Sequence, residues 1–178
     1  MTLKDRYQKE IVPKLMTDLG LTNPMAVPRI QKIVVNVGMG KTLADPKITE
    51  SIAQSLLRIT GQRAVRTLAR KSIASFKIRQ GMAIGCLVTL RGARMWDFLE
   101  KLIRAALPRV RDFRGVSLSA VDQGGNLSLG FREHVVFPEI RSDEVEHVHG
   151  LQVTVVTNAG ARDRGLALFR ALGVPFRT

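Results

Sequence analysis

Four groups of residues in this chain have types and spacings that could do chemistry. Gly38-Met39-Gly40-Lys41-Thr42 ends like a phosphate-binding loop, whose backbone amides wrap a nucleotide while the lysine reaches its phosphates. The complete motif needs a glycine five residues before Gly40, and Val35 stands there, inside a stretch that reads as strand. The helix that should open at the lysine has its start signal later, at Asp45-Pro46, which takes the amide cluster away from Lys41. The glycines suit a tight turn, or one that a nucleic-acid backbone can approach closely. His147 and His149 would share a face of an extended segment, with Glu146 beside them and His134 upstream. A metal needs three or four converging ligands, so these read as exposed polar residues near a turn. Glu133 and Glu139 could be an acid/base pair, but nothing supplies a nucleophile or pocket. Cys86, within Ile84–Val88, reads as a small buried apolar residue. No catalytic residue, cofactor or metal is expected.

The charge distribution says more. From Ser51 to Trp96 there is no Asp or Glu in 46 residues, against nine Arg or Lys. Residues 58–114 hold 14 basic and 3 acidic side chains, which is +11 of the formal net charge of +13. A field this one-sided repels itself and calls for a polyanion. Nucleic acid fits best, because each neutralised phosphate releases counterions and adds affinity. A merely solvated face would mix both signs. A membrane-surface protein would want a basic amphipathic helix with aromatic anchors, and this block is mostly strand and loop. An RNA-recognition motif needs paired aromatics on its central strands; here there are none, nor is there a zinc-finger or basic-zipper pattern. Contacts should run to phosphate, sugar and small polar groups.

The elements that must position these residues follow from periodicity. With 178 residues, 45% of them apolar, the chain reads as a single domain with a real core. One cysteine, no signal-like apolar core and no membrane-length apolar run lead us to expect a soluble cytoplasmic protein. Residues 3–19 predict an amphipathic N-terminal helix within 1–22, broken or kinked at Pro13. Arg29–Val37 alternates as a half-buried strand, and a helix runs from Asp45-Pro46 to Gly61. Strands follow at 64–69 and 82–91, separated by a projecting basic loop over 70–81. A helix from Arg94 to Leu107 stops at Pro108, with Trp96 in the core; strands near 126–132 and 151–157 and a helix over Arg164–Leu172 complete the chain. The fold class is α+β: a mainly antiparallel sheet, helices packed on one face, the other face open and polar. Alternation puts Lys32, Asn36, Thr89, Arg91, Asn126, Ser128 and Thr154 on that open face, which suits RNA.

Asn23-Pro24-Met25, Val27-Pro28-Arg29-Ile30 and Asn36-Val37-Gly38-Met39-Gly40 resemble the opening of the large-subunit ribosomal protein five family, in its bacterial form. The likeness continues through Ala69-Arg70-Lys71-Ser72-Ile73-Ala74, Phe76-Lys77-Ile78-Arg79, Val88-Thr89-Leu90-Arg91-Gly92, Arg111-Asp112-Phe113-Arg114-Gly115 and Phe137-Pro138-Glu139-Ile140. Leu68 and Leu127 depart from it, standing where a basic residue and an aromatic would be expected. The resemblance implies a non-catalytic, ribosome-bound constituent of the large subunit that helps attach 5S rRNA in the central protuberance. Asn36, Gln62, Thr89 and Arg91 stand where that family touches RNA. Arg29, Lys32, Gly38, Gly40, Arg63 and Thr67 complete the expected 5S rRNA-binding set. The 70–81 loop, through Arg70, Lys71, Ser72, Ser75, Lys77 and Arg79, would meet the peptidyl-site (P-site) tRNA. Ile73 and Phe76 themselves read as a small apolar anchor that keeps its tip from collapsing, or as side chains of which either touches a ribose. Arg109, Arg111, Arg114, Arg141, Asp143 and Glu144 are the expected contacts to a small-subunit head protein. Neighbouring large-subunit components are further expected partners; no membrane and no small-molecule substrate are expected.

Overall fold

The computed structural model describes residues 1–40, 46–141 and 147–177. Five strands, β1 (Ile30–Gly38), β2 (Val65–Leu68), β3 (Ala83–Leu90), β4 (Leu127–Phe131) and β5 (Leu151–Thr157), form one antiparallel sheet in the order β2-β3-β1-β5-β4. β1 takes the centre because both β3 and β5 return alongside it. Its alternation is the one predicted: Ile33, Val35 and Val37 are buried, while Lys32, Val34 and Asn36 are half-buried on the other side. A one-residue slip would turn the apolar set to solvent, so burial of one face fixes the register.

Among the described residues, four helices cover the buried face. They are α1 (Leu3–Arg6, continued by Tyr7–Ile11 and Val12–Asp18), α2 (Pro46–Thr60), α3 (Gly92–Lys101, continued by Leu102–Ala106) and α4 (Arg162–Leu172). Leu15 of α1, Leu56 of α2, Leu99 of α3 and Phe169 of α4 join Ile33, Val35, Val88 and Val153 of the sheet in one apolar cluster. Trp96 is core as expected: its ring lies 5.1 Å from that of Tyr7, whose hydroxyl donates to the Pro28 carbonyl at 2.9 Å.

Of the kink or split expected at Pro13, the split does not occur. Proline has no N–H and its ring crowds the carbonyl four residues back, so α1 widens to a π turn over Tyr7–Ile11, with Val12 N–H donating to Tyr7 O, and then resumes. The helix continues rather than splitting. Pro46 opens α2 where the Asp-Pro signal placed it; Asp45 itself lies outside the described residues. Pro108 sits within a closing 3-10 turn, Leu107–Arg109. Among the described residues no helix is long and apolar enough to cross a membrane.

Candidate nucleic-acid interface

Among the described residues the helices pack on one side of the sheet and none covers the other. Strand pairing sorts its side chains into rows. Val65, Leu87, Asn36, Gln152 and Gly130 form one row across all five strands. Thr89, Val34, Thr154 and Ser128 form the next, with the hydroxyls of Ser128 and Thr154 3.4 Å apart. A third row, Thr67, Gly85 and Gly38, carries nothing bulkier than threonine. A Cβ added at Gly85 would lie 2.8 Å from both Thr67 Oγ1 and Val37 O, so no side chain can rise there. A Cβ on Gly38 or Gly40 would touch nothing, so packing does not require those glycines. Such a low, open end of the face admits close approach of a polymer backbone.

The electrostatics match this shape. None of the five strands contains an Asp or Glu. Among the described residues the ion pairs lie elsewhere: Arg66–Glu50 (2.8 Å), Lys101–Glu139 (2.6 Å), Arg104–Glu100 (2.7 Å), Arg6–Glu10 (3.4 Å) and Arg111–Glu133 (3.9 Å). No described carboxylate holds Lys32, Arg63 or Arg91, or Arg70, Lys71, Lys77 and Arg79 of the loop. The acids neutralise cations on the helix side and at the rim. The sheet and loop keep a positive field for an outside anion.

Each expected RNA contact can now be placed. Lys32, Asn36 and Thr89 are half-buried on the open face, and the side chain of Asn36 has no hydrogen-bond partner among the described residues. Arg91 follows β3 with extended backbone (φ −141°, ψ 166°), which continues the alternation and keeps its exposed side chain on the face of Thr89. Gln62 donates from Nε2 to the Thr89 carbonyl at 3.2 Å, which ties it to the rim next to exposed Arg63. Thr67 is half-buried on edge strand β2. Arg29 lies exposed just before β1, its N–H donating to Asn158 Oδ1 at 2.6 Å. Asn126, expected on this face, is not free there. Its Oδ1 accepts from Thr157 N–H and its Nδ2 donates to Asp122, so it fastens the turn before β4. Sequence reasoning misses Gln152. It is exposed and in register with Asn36, and the Leu151-Gln152-Val153 alternation could have found it.

The 70–81 loop leaves the sheet at the β2 edge. It is a closed secondary hairpin, with Ala69 N–H donating to Met82 O (2.8 Å), and Ile73 and Ile78 exchanging both backbone hydrogen bonds (2.8 and 3.1 Å). Arg70, Lys71, Ser72, Ser75, Lys77 and Arg79 are all exposed on it. Phe76 is 68% exposed, so it does not anchor the tip; the backbone hydrogen bonds do. At the opposite edge, by β4, exposed Arg109 and Arg111 line a cleft of about 650 Å³ with Phe131, Arg132 and Glu133. Arg114 and Arg141 are exposed as well, and Asp143 and Glu144 lie outside the described residues.

The residues that suggested catalysis come apart. Gly38 ends β1 opposite Gly85, Met39 is buried, and the helix begins at Pro46; Lys41 and Thr42 lie outside the described residues. Cys86 is buried, and burial pushes its thiol pKa up, away from nucleophilic use. Among the described residues no three His, Cys, Asp or Glu side chains cluster as a metal site. His149 is not the exposed turn residue expected. It stacks on buried His134, with ring centroids 3.9 Å apart and planes 4° apart, and its N–H donates to His134 Nδ1 at 3.3 Å.

Burial lowers the His134 pKa; burial first, and then the nearby His134, lower that of His149 to about 4. The unfolded chain therefore takes up protons before the folded one as pH falls. Stability from this neutral pair is complete above about 6.5 and is lost progressively toward about 4. His149→Phe keeps a stacked ring and removes the His149 titration, leaving that of His134. Its urea midpoint should fall less than that of the parent chain across that window, and parallel curves would contradict this assignment.

Comparison with known proteins agrees with this geometry. Residues 23–79 match the family model described as ribosomal protein L5, and residues 83–176 match the model for the C-terminus of the same ribosomal family. The chain is 53% identical to the large ribosomal subunit protein uL5 of Desulfotalea psychrophila, over 98% of each chain. It is 54% identical to that of Anaeromyxobacter sp. (strain K), over 98% of this chain and 97% of the relative. To that of Halothermothrix orenii it is 51% identical, with the same coverage. An acid-free open sheet face, a basic hairpin beside it and similarity along nearly the whole length lead to one conclusion: the chain belongs to the ribosomal protein L5 family, whose members are structural ribosomal proteins and not enzymes.

Proposed function

We propose that this chain, as a constituent of the large ribosomal subunit, binds 5S rRNA on the open face of its sheet and helps attach it in the central protuberance. The observation that carries the reading is the pairing pattern of charge: every described carboxylate partner lies off the face, and Lys32, Arg63 and Arg91 are left unneutralised beside Asn36 and Thr89. The cations would hold phosphates and the small polar groups would read ribose and base edges. The hairpin at the β2 edge would meet the P-site tRNA, and the Arg109–Arg114 segment at the β4 edge a small-subunit head protein. These two surfaces sit at opposite ends of the strand order, so one rigid sheet can hold 5S rRNA between two further contacts.

Two single substitutions test the face. Thr89→Ala should weaken 5S rRNA binding by about fivefold, the loss of one uncharged hydrogen bond, with no change in salt dependence. Arg91→Ala should weaken binding and also flatten the plot of log K against log salt by roughly 0.7 to 0.9. Filter binding at four salt concentrations reads both. Identical slopes for the parent chain and Arg91→Ala would show that Arg91 meets no phosphate.

A further inference from the structure

Of the nine aromatic residues in the chain, Phe76 alone is strongly exposed. Tyr7, Trp96, Phe98, Phe131, Phe137 and Phe169 are buried in the core, and Phe113 and Phe176 pack against it. An exposed phenyl forgoes the burial that favours apolar groups, and this one has no place in the apolar cluster among the described residues. Phe76 stands at the tip of the hairpin, next to Lys77. The tip is held from below by the paired Ile73 and Ile78, by Lys77 N–H donating to Ala74 O (3.0 Å), and by Gln80 N–H donating to Ser72 Oγ (3.0 Å). Lys77 adopts left-handed backbone (φ 55°, ψ 30°), a conformation that costs a non-glycine residue energy and persists where surrounding bonds impose it. The phenyl is thus presented on a preformed support. Four cations and no acid surround it within residues 70–81.

We propose that Phe76 is a stacking platform for one unpaired nucleobase of an RNA, with Lys71, Lys77 and Arg79 holding the flanking phosphates. The proposal rests on the reading that this hairpin meets RNA, and it goes further: it assigns a base contact where charge alone would give only backbone contacts. An aromatic face accepts any base, so this contact adds affinity without choosing sequence. The cations favour RNA over an apolar protein surface, which would leave four charges desolvated beside the ring. It differs from the sheet face, whose five strands place no aromatic side chain on the open side.

The test uses the full chain and two probes: octa-adenylate carrying a central 2-aminopurine, and a matched octamer of abasic ribose phosphates. Phe76→Ala should weaken binding of the adenylate about tenfold and abolish its 2-aminopurine signal change, while affinity for the abasic octamer stays within about twofold. Phe76→Tyr should retain both the affinity and the signal. The double variant Lys77→Ala/Arg79→Ala should weaken both probes. If Phe76→Ala leaves adenylate binding intact while the double variant weakens it, stacking is overturned and the RNA reading of the hairpin stands. If Phe76→Ala weakens both probes equally, its role is structural and the proposal fails. If neither variant changes either probe, the hairpin does not meet RNA, and the proposal falls with that reading.

Discussion

Asn36→Glu is expected to weaken 5S rRNA binding about a hundredfold while leaving the chain folded. Asn36 lies at the middle of the longest row on the open face, between Leu87 of β3 and Gln152 of β5. Its amide has no hydrogen-bond partner among the described residues, so the fold does not use it. Glutamate removes an amide donor and sets a negative charge where phosphates would converge. The lost hydrogen bond accounts for about 1 kcal/mol, and like-charge repulsion across a desolvated contact for a further few kcal/mol. Far-UV circular dichroism and the urea midpoint should stay close to those of the parent chain, because the position faces away from the core. Unfolding by this substitution would place the residue in the core and reverse the assignment of the faces.

Gly165→Ala is expected to destabilise the chain by about 2 kcal/mol, against the direction that helix propensity gives. In an exposed helix interior, alanine is favoured over glycine by about 1 kcal/mol. Gly165, in the first turns of α4, is buried against the turn at Gly125. A Cβ there would stand 2.6 Å from both the Cα and the carbonyl oxygen of Gly125. Backbone cannot rotate aside as a side chain does, and Gly125 is itself fixed, with positive φ (81°) and its own Cβ position 2.7 Å from the Ala159 Cβ. Either α4 or the turn must shift, and overpacking of this kind costs about 1–3 kcal/mol or more. A urea midpoint equal to or above that of the parent would show that the contact relaxes freely.

Periodicity within single elements is readable because it is local. The alternation of Ile33, Val35 and Val37 with Lys32, Val34 and Asn36 gave both the strand and its open face, and the proline at position 46 gave the start of α2. What could not be read depends on residues far apart in sequence. The pairing of β1 with both β3 and β5 puts Gln152 beside Asn36, although the two are distant along the chain. The stack of His134 on His149 is likewise tertiary, and the same histidines read locally look like a pair at a turn. Asn126 failed for another reason: a short amide competes for nearby polar groups, and here it binds Thr157 N–H and Asp122 instead of standing free. The basic block was legible as charge, but not as a distribution. Only the fold shows that the carboxylates sit with Arg66, Lys101, Arg104 and Arg111 and away from the open face.

The central claim is that the open face recognises 5S rRNA, and one measurement tests it most directly. Purified chain is titrated against labelled 5S rRNA in competition with a tRNA, which carries the same charge per nucleotide, across a range of salt concentrations. Both affinities should fall steeply with salt, by roughly 0.7–0.9 in log K per phosphate contacted and decade of salt. The preference for 5S rRNA should persist as salt rises, because uncharged contacts from Asn36, Thr89 and Gln152 remain when phosphate contacts are screened. Equal affinity for the two RNAs at every salt concentration would contradict the account and leave the face as a general polyanion surface.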